Sequence, residues 1–289
     1  VETIYKRLAA DPSIPKNILA NKIFGGNLRI IFMGGAHLDP FYIDKFAEYG
    51  IDIYEGYGMS ECSPVISSNL PGCHKTGSIG RPLSNAEISF DNGEILVRGT
   101  SVMKGYYNMP KETAETLRDG WLHTGDLGSI DDDGFVSIVG RKKDLIITAG
   151  GKNVSPCEME ASIMTSPVVS QCVMIGDRKP FIAAIISLDL AETNLWLESK
   201  GAEQVAGLDE ASKNPIVRAE VERAVNKANE LASRAESIRK FEIVPDEFTE
   251  ENGLVTPSMK ARRQAVVEHY RTLIDKVIYV PRKPAAHAE

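Results

Sequence analysis

The sequence predicts a mixed chain, α/β at its start and α+β at its end. It reads as the end of a parallel βαβ subdomain, a small antiparallel β-barrel-like subdomain, and a separate small α+β C-terminal domain. Three observations predict this. Residues 28–57 run strand–helix–strand at a length that needs a crossover, and hence a parallel pair. Residues 76–142 change to short alternating segments punctuated by Asn92-Gly93 and Asp133-Gly134, the signature of hairpins. Beyond the charged stretch Arg141-Lys142-Lys143-Asp144 the pattern turns to mixed helices and strands. The expected parts are 1–75, 76–142, 143–280 and a disordered tail, 281–289.

In order, Val1, Ile4, Tyr5 and Leu8 open a helical pattern; a start at Val rather than Met suits an excised segment or a processed terminus. Leu28–Gly34 reads as a buried strand, Gly34-Gly35-Ala36 as its exit, and Asp39-Pro40 as the N-cap and first residue of a helix ending at Gly50. Ile51–Tyr57 is a second strand leaving through Gly56 and Gly58. Ligands of parallel sheets bind past the carboxyl ends of strands, where both glycine exits lie. Ala86–Phe90, Glu94–Arg98 and Phe135–Val139 are the alternating strands, interrupted by a helix at Lys111–Leu117. Pro156–Met164 is a short helix, and Gln171–Gly176 and Phe181–Asp189 are strands around the turn Asp177-Arg178-Lys179-Pro180. Residues 190–239 read as helical, with Ile216, Val217, Val221, Val225 and Leu231 apolar and the charges on a solvated face. Phe241–Val244 is a further strand, and a loop to Thr256-Pro257 leads into a last helix at about 258–275.

The 289 residues suffice for about two domains, and 43% hydrophobic with 25% charged residues is ordinary for a soluble globular chain. A net charge of −7 excludes a general nucleic-acid binder, which needs a basic field. Cys62, Cys73, Cys157 and Cys172 show no CxxC spacing and read as free thiols in a reducing compartment. With no leader pattern and no apolar run of spanning length, the expected location is cytoplasmic.

Gly56-Tyr57-Gly58 before Ser60-Glu61 gathers a ring that can stack on a base, a backbone open to a phosphate, a hydroxyl, and a carboxylate able to bind Mg²⁺. The bland alternative is a strand-to-helix turn with Ser60 as N-cap. Trp121-Leu122-His123-Thr124-Gly125-Asp126 offers a carboxylate suited to the two hydroxyls of a ribose, or an Asx turn closing a hairpin. His123 reads as structural. Arg141 is a permanent cation past an apolar strand, whereas Lys142, Lys143 and Asp144 read equally as surface charge. Thr256-Pro257-Ser258-Met259-Lys260 sets a lysine early in a helix, which alone reads as an exposed helical lysine.

Taken together and in this order, these elements resemble the adenylate-forming superfamily of acyl-CoA synthetases, adenylation domains and luciferases, over essentially the whole chain. Tyr57–Glu61 is similar to the family's Y-G-x-[ST]-E, and Gly93–Gly99 with Gly105-Tyr106-Tyr107 to G-E-[IL]-x-[VI]-[RK]-G…G-Y. Asp119–Asp126 is similar to D-G-W-x-x-T-G-D, and Gly140–Asp144 with Gly150-Gly151-Lys152 to the region joining the family's two domains. The last of these, with the helical 190–239, resembles bacterial long-chain fatty acyl-CoA synthetases of actinobacterial type.

The resemblance implies that Tyr57 stacks on adenine, that Gly34, Gly35 and Ala36 line the adenine and acyl sites, and that Gly56 and Gly58 belong to the same ATP site. It implies Ser60 on the α-phosphate, Glu61 on Mg²⁺ carried with ATP, Asp126 on the ribose with Arg141 nearby, and Lys143 as a hinge. Gly150 and Lys152 fall where CoA passes, and Lys260 at the lysine serving adenylation. The implied partners are ATP, a long-chain fatty acid and CoA, with room for a homodimer and for peripheral contact with the inner face of the membrane. The family's Ser/Thr/Gly-rich phosphate loop has no counterpart here, so the expectation is the C-terminal portion of a ligase, inactive alone. Ser258-Met259 also departs from the Ser-Gly that often precedes the family lysine. The alternatives are an acyl-AMP ligase or adenylation module loading a carrier protein, and a non-catalytic fragment that binds AMP weakly or not at all.

Overall fold

The structure is a computed structural model that describes residues 4, 5 and 16–280. The tail expected from Pro281 lies outside the described residues, as does most of the opening helical pattern. The described residues fall into two compact units, one ending at Leu145 and the other beginning at Ile146.

The first unit opens with α1 (Lys16–Phe24) and β1 (Ile30–Met33), followed by α2 (Pro40–Ala47) and β2 (Asp52–Gly58). Asp39 caps α2 by accepting the Phe41 N–H at 2.8 Å, with Pro40 at the first helical position. β1 and β2 pair in parallel, from Ile30 opposite Asp52 to Met33 opposite Glu55. One face of this pair is covered by α2 through Leu38, Tyr42, Phe46, Ile51 and Ile53. The other face of β1 leaves Ile30 38% and Phe32 59% exposed. β3 (Val65–Ser68) and β4 (Arg81–Pro82) extend the sheet antiparallel in the order β1-β2-β3-β4, so among the described residues β1 is its edge.

A second, wholly antiparallel sheet holds β5 (Ala86–Asp91), β6 (Glu94–Gly99), β7 (Leu117–Arg118), β8 (Trp121–Ile130) and β9 (Val136–Arg141), with α3 (Pro110–Thr116) before β7. Its order is β5-β6-β8-β7, with β9 also on β8. The turn at Asn92-Gly93 has both residues at positive φ, 49° and 82°, as a tight hairpin of matching twist requires. The two sheets share a core of Tyr57, Cys62 and Ile66 with Ile95, Val97, Leu122 and Val136.

The second unit begins with the small hairpin β10 (Ile146–Ile147) and β11 (Asn153–Val154), then α4 (Cys157–Met164). β12 (Val169–Ile175) and β13 (Ile182–Leu188) are antiparallel, and β14 (Ile238–Val244) joins β13 in parallel. β13 is buried on both faces. Ile182, Ala184, Ile186 and Leu188 face one core, and Ala183 and Ile185 the other. The stretch expected to be helical over 190–239 is three helices, α5 (Leu190–Ser199), α6 (Leu208–Lys213) and α7 (Pro215–Asn229). Asn214 caps α7 and Pro215 starts it, so those two residues break the run; Ile238 already belongs to β14. The last helix also starts later than expected, as α8 (Arg263–His269), and continues through α9 (Arg271–Leu273) into a π-helical turn at Ile274–Ile278. Among the described residues no helix is long and apolar enough to cross a membrane.

Candidate functional site

The register of β8 builds the site. Leu96 on β6 faces His123, but Glu94 faces Leu127, so three residues of β8 stand against one of β6. Thr124-Gly125-Asp126 is therefore a bulge inside a strand, not the turn that the sequence also allowed. Bulges re-aim side chains. Gly125 has φ +72°, which an L residue adopts only under strain. The backbone groups freed by the bulge are satisfied locally. Thr124 donates from Oγ1 to the Ile95 carbonyl at 2.8 Å and accepts the Asp126 N–H at 3.1 Å. The Gly125 N–H donates to Glu94 Oε1 at 3.0 Å.

The bulge brings together three of the expected residues. Tyr57 donates its hydroxyl to Asp126 Oδ2 at 2.6 Å, and Arg141 donates from Nε to Asp126 Oδ1 at 2.7 Å. Arg141 faces Asp126 directly across the β8–β9 ladder, so strand register alone sets that ion pair. Asp126 is 6% exposed and Tyr57 8%. The Tyr57 ring packs in the shared core, and burial, reinforced by the Asp126 charge, raises its phenol far above the usual range. A ring so covered has little open face for a base, which qualifies the stacking role the resemblance implied. A hollow of about 330 Å³, lined by Thr124, Gly125, Arg141, Lys142 and Lys143, opens beside the bulge.

Glu61 lies next to Ser60 in a 3₁₀ turn, Ser60–Cys62, after β2. Ser60 is not a capping residue; the turn has no side-chain cap. Glu61 is half-buried, and its Oε1 accepts the Tyr106 hydroxyl at 2.7 Å. Among the described residues no three His, Cys, Asp or Glu side chains cluster as a metal cage. A single carboxylate of this kind suits a hard cation that arrives with nucleotide phosphates. The glycines here answer first to packing. A Cβ at Gly58 would come 2.0 Å from the Pro64 carbonyl oxygen, and one at Gly34 2.9 Å from that of Gly56. Gly35 has φ +89°, and Gly34–Ala36 are exposed at the end of β1.

Lys143 is exposed in a 3₁₀ turn, Lys142–Asp144. Gly150 and Lys152 belong to the second unit, in the tight turn between β10 and β11. There the Gly151 N–H reaches the Thr148 carbonyl at 2.9 Å, and Lys152 pairs with Glu236 at 3.2 Å. Lys260 is not in a helix. It closes a loop in which Val255 bridges Ala261 and the Thr256 N–H donates to the Lys260 carbonyl at 2.9 Å. Met259 before it has φ +60°, which explains why a glycine suits that position. Three residues later, both Arg263 Nη atoms donate to Glu160, at 2.8 and 2.9 Å, anchoring α8 to α4.

Sequence reasoning passed over three supporting residues. Glu94, 4% exposed, accepts the Gly125 N–H and Lys142 Nζ at 3.3 Å, and lies 3.4 Å from His123 Nδ1. Burial pushes its carboxyl up, but these contacts from His123, Gly125 and Lys142 outweigh that and hold it below the usual value. Tyr106 is the second. The third is Glu55, 7% exposed in the middle of β2, where burial raises its carboxyl to about 7 against a hydrogen bond from the Leu38 backbone. Glu94 and Tyr106 lay in matched motifs, but nothing in either motif showed which residue each would support.

Comparison with known proteins identifies the family of the chain. The family described as "AMP-binding enzyme" matches residues 1–107, and "AMP-binding enzyme C-terminal domain" matches residues 143–280. The Long-chain-fatty-acid–CoA ligase FadD15 of Mycobacterium bovis is 41% identical over 254 residues, 88% of this chain and 42% of that protein. The putative fatty-acid–CoA ligase fadD11 of Mycobacterium tuberculosis is 34% identical over 272 residues, 93% of this chain and 47% of that protein. The chain thus spans less than half the length of these relatives. Among solved structures, an O-succinylbenzoate coenzyme A synthetase from Bacillus subtilis, in complex with AMP, superposes with a TM-score of 0.64 at 25% identity. That likeness covers 86% of this chain and 49% of that one.

Proposed function

The chain belongs to the AMP-binding enzyme family, and we propose that it is the C-terminal portion of an ATP-dependent long-chain fatty acid–CoA ligase. The observation that carries the reading is the buried Asp126, bonded by Tyr57 and Arg141 beside the hollow at the Gly125 bulge. A carboxylate has about four acceptor positions. Two are taken, and the one left on each oxygen matches the two hydroxyls of a ribose. The acyl substrate and the CoA acceptor follow from similarity to the FadD15 ligase.

The reaction runs in two steps. A carboxylate oxygen of the fatty acid attacks the α-phosphorus of ATP, forming a P–O bond as the α–β bond breaks and pyrophosphate leaves. The thiolate of CoA then attacks the acyl carbonyl and AMP leaves. In this reading Asp126 and Arg141 hold the ribose, Ser60 donates to the α-phosphate, and Gly34, Gly35, Ala36, Gly56 and Gly58 line the nucleotide and acyl sites. Lys260 neutralises charge on the carboxylate and α-phosphate. Mg²⁺ brought with ATP, held through Glu61, supplies charge neutralisation on the phosphates. Residues 143–280 are the mobile domain of the ligase, with Lys143 its hinge and Gly150 and Lys152 on the CoA path.

The test is a thioester assay of the full-length protein with ATP and palmitate, offering CoA in one arm and a holo carrier protein in the other. Thioester formation on CoA is expected, and none by this 289-residue chain alone. Transfer to the carrier protein and not to CoA would redirect the reading to carrier loading. Turnover by the isolated chain would refute its being an inactive portion.

A further inference from the structure

The Tyr57 side chain does more than fill the core. Its ring is packed among Cys62, Ile66, Ile95, Leu122 and Val136, so its hydroxyl is fixed by its neighbours rather than by its own rotamer freedom. That hydroxyl donates to Asp126 Oδ2 at 2.6 Å, across 69 residues of sequence and between two different sheets. Asp126 follows a glycine at φ +72°, in a bulge where the ladder to β6 is interrupted. On the other side, Arg141 holds Oδ1 from a side chain that is 48% exposed, and so is the looser of the two partners. Tyr57 is the rigid one.

We infer that Tyr57 is the positioning residue for ribose recognition: its hydroxyl fixes the plane of the Asp126 carboxylate so that one acceptor position on each oxygen meets a vicinal diol. The inference rests on the ribose reading of Asp126 and deepens it. It assigns discrimination between ribo- and deoxynucleotides to a residue that need not touch the sugar. Without the hydroxyl, Asp126 keeps its Arg141 partner but can rotate about the bond to its carboxylate, and a fixed pair of acceptors becomes a mobile one. Preorganised acceptors lose less on binding than mobile ones.

The experiment is equilibrium binding of AMP, 2′-deoxy-AMP and 3′-deoxy-AMP to the full-length protein, as wild type, Tyr57→Phe, Asp126→Asn and the double variant. Tyr57→Phe keeps the ring and its packing. It is expected to weaken AMP about 10-fold and each deoxynucleotide less than about 2-fold, the range of a hydrogen bond to a charged group. In the Asp126→Asn background Tyr57→Phe should change the AMP-to-deoxy-AMP ratio no further, because the two residues act as one unit. Equal weakening of all three nucleotides by Tyr57→Phe overturns the inference and makes the hydroxyl merely structural. So does a ribose preference that survives Tyr57→Phe intact. If the wild type shows no preference for AMP over its deoxy analogues, the ribose reading of Asp126 falls first and this inference with it. If Tyr57→Phe does not fold, Tyr57→Leu takes its place with the same outcomes, since it too removes the hydroxyl and leaves an apolar side chain in the core. In Asp126→Asn, retention of the ribose preference overturns the ribose reading and this inference with it.

Discussion

Asp126 and Lys260 carry opposite charges in the proposed chemistry, and the chain holds them in opposite ways. Asp126 lies inside a sheet, 6% exposed, with a hydrogen bond on each oxygen and a strand register that fixes its partners. Lys260 lies on an exposed loop between the Val255–Ala261 bridge partners, next to a methionine at φ +60°. Just beyond the loop, the Arg263–Glu160 pair anchors the start of α8 to α4. The difference separates two kinds of site. Around Asp126, the proposed ribose contact and the fold share the same hydrogen bonds, so a variant there is expected to disturb both. Around Lys260 the proposed chemistry and the fold are expected to separate.

The largest expected effect tests that separability. Lys260→Ala in the full-length protein should slow adenylate formation by about 10²–10³-fold, the scale of one preorganised electrostatic contact. Its unfolding free energy should stay within about 0.5 kcal/mol of wild type, as for an exposed position. Given preformed acyl-adenylate and CoA, it should transfer at close to the wild-type rate. Equal loss in both half-reactions would erase the contrast and make the lysine structural.

Next in size is Glu55→Gln, read by unfolding of this chain at pH 5 and pH 8. The folded carboxyl is raised to about 7 from an ordinary 4.5 by burial. The native state therefore binds more protons than the unfolded state between those values, and stability falls as pH rises through the window. Glutamine removes that penalty, so the variant should gain up to about 3 kcal/mol at pH 8 and little at pH 5.

Glu94→Gln should show the opposite sign. The folded carboxyl is held low, so its contribution is present above the unfolded value and is lost as pH falls through the folded one. A loss of about 1–2 kcal/mol is expected at pH 7, shrinking toward zero in acid, with AMP affinity falling in parallel because Gly125 loses a charged acceptor. Matching pH profiles for the two glutamate variants would show that burial, not partners, governs both. The smallest effect is Met259→Gly. Relief of the left-handed backbone, less the extra chain entropy of glycine, should raise stability by about 0.5 kcal/mol.

The parts of this molecule that were legible in the sequence are those with local signals. Asp39-Pro40 announced α2, Asn92-Gly93 its hairpin, and the alternation of apolar residues the strands on either side. The site motifs named Tyr57, Asp126 and Arg141, but not why they belong together. Their meeting depends on register: the bulge at Gly125 and the pairing of Asp126 with Arg141 are properties of two strands at once. Glu94 was hidden for the same reason, since its partners lie 29 to 48 residues away. The helical misreading of Lys260 has a different origin. Residues 258–262 have a composition that a helix tolerates, but the Thr256–Lys260 backbone bond closes a turn before one can start.

The bare face of β1 has a consequence for how this segment behaves in a test tube. Among the described residues β1 pairs on one side only, with β2, and it carries two exposed apolar side chains, Ile30 and Phe32, so its free side is a template on which another copy can add. The net charge of −7 keeps copies apart at long range, and dissolved ions shorten that range. Added salt is therefore expected to promote association of the isolated segment through this strand, which light scattering across a salt series would show.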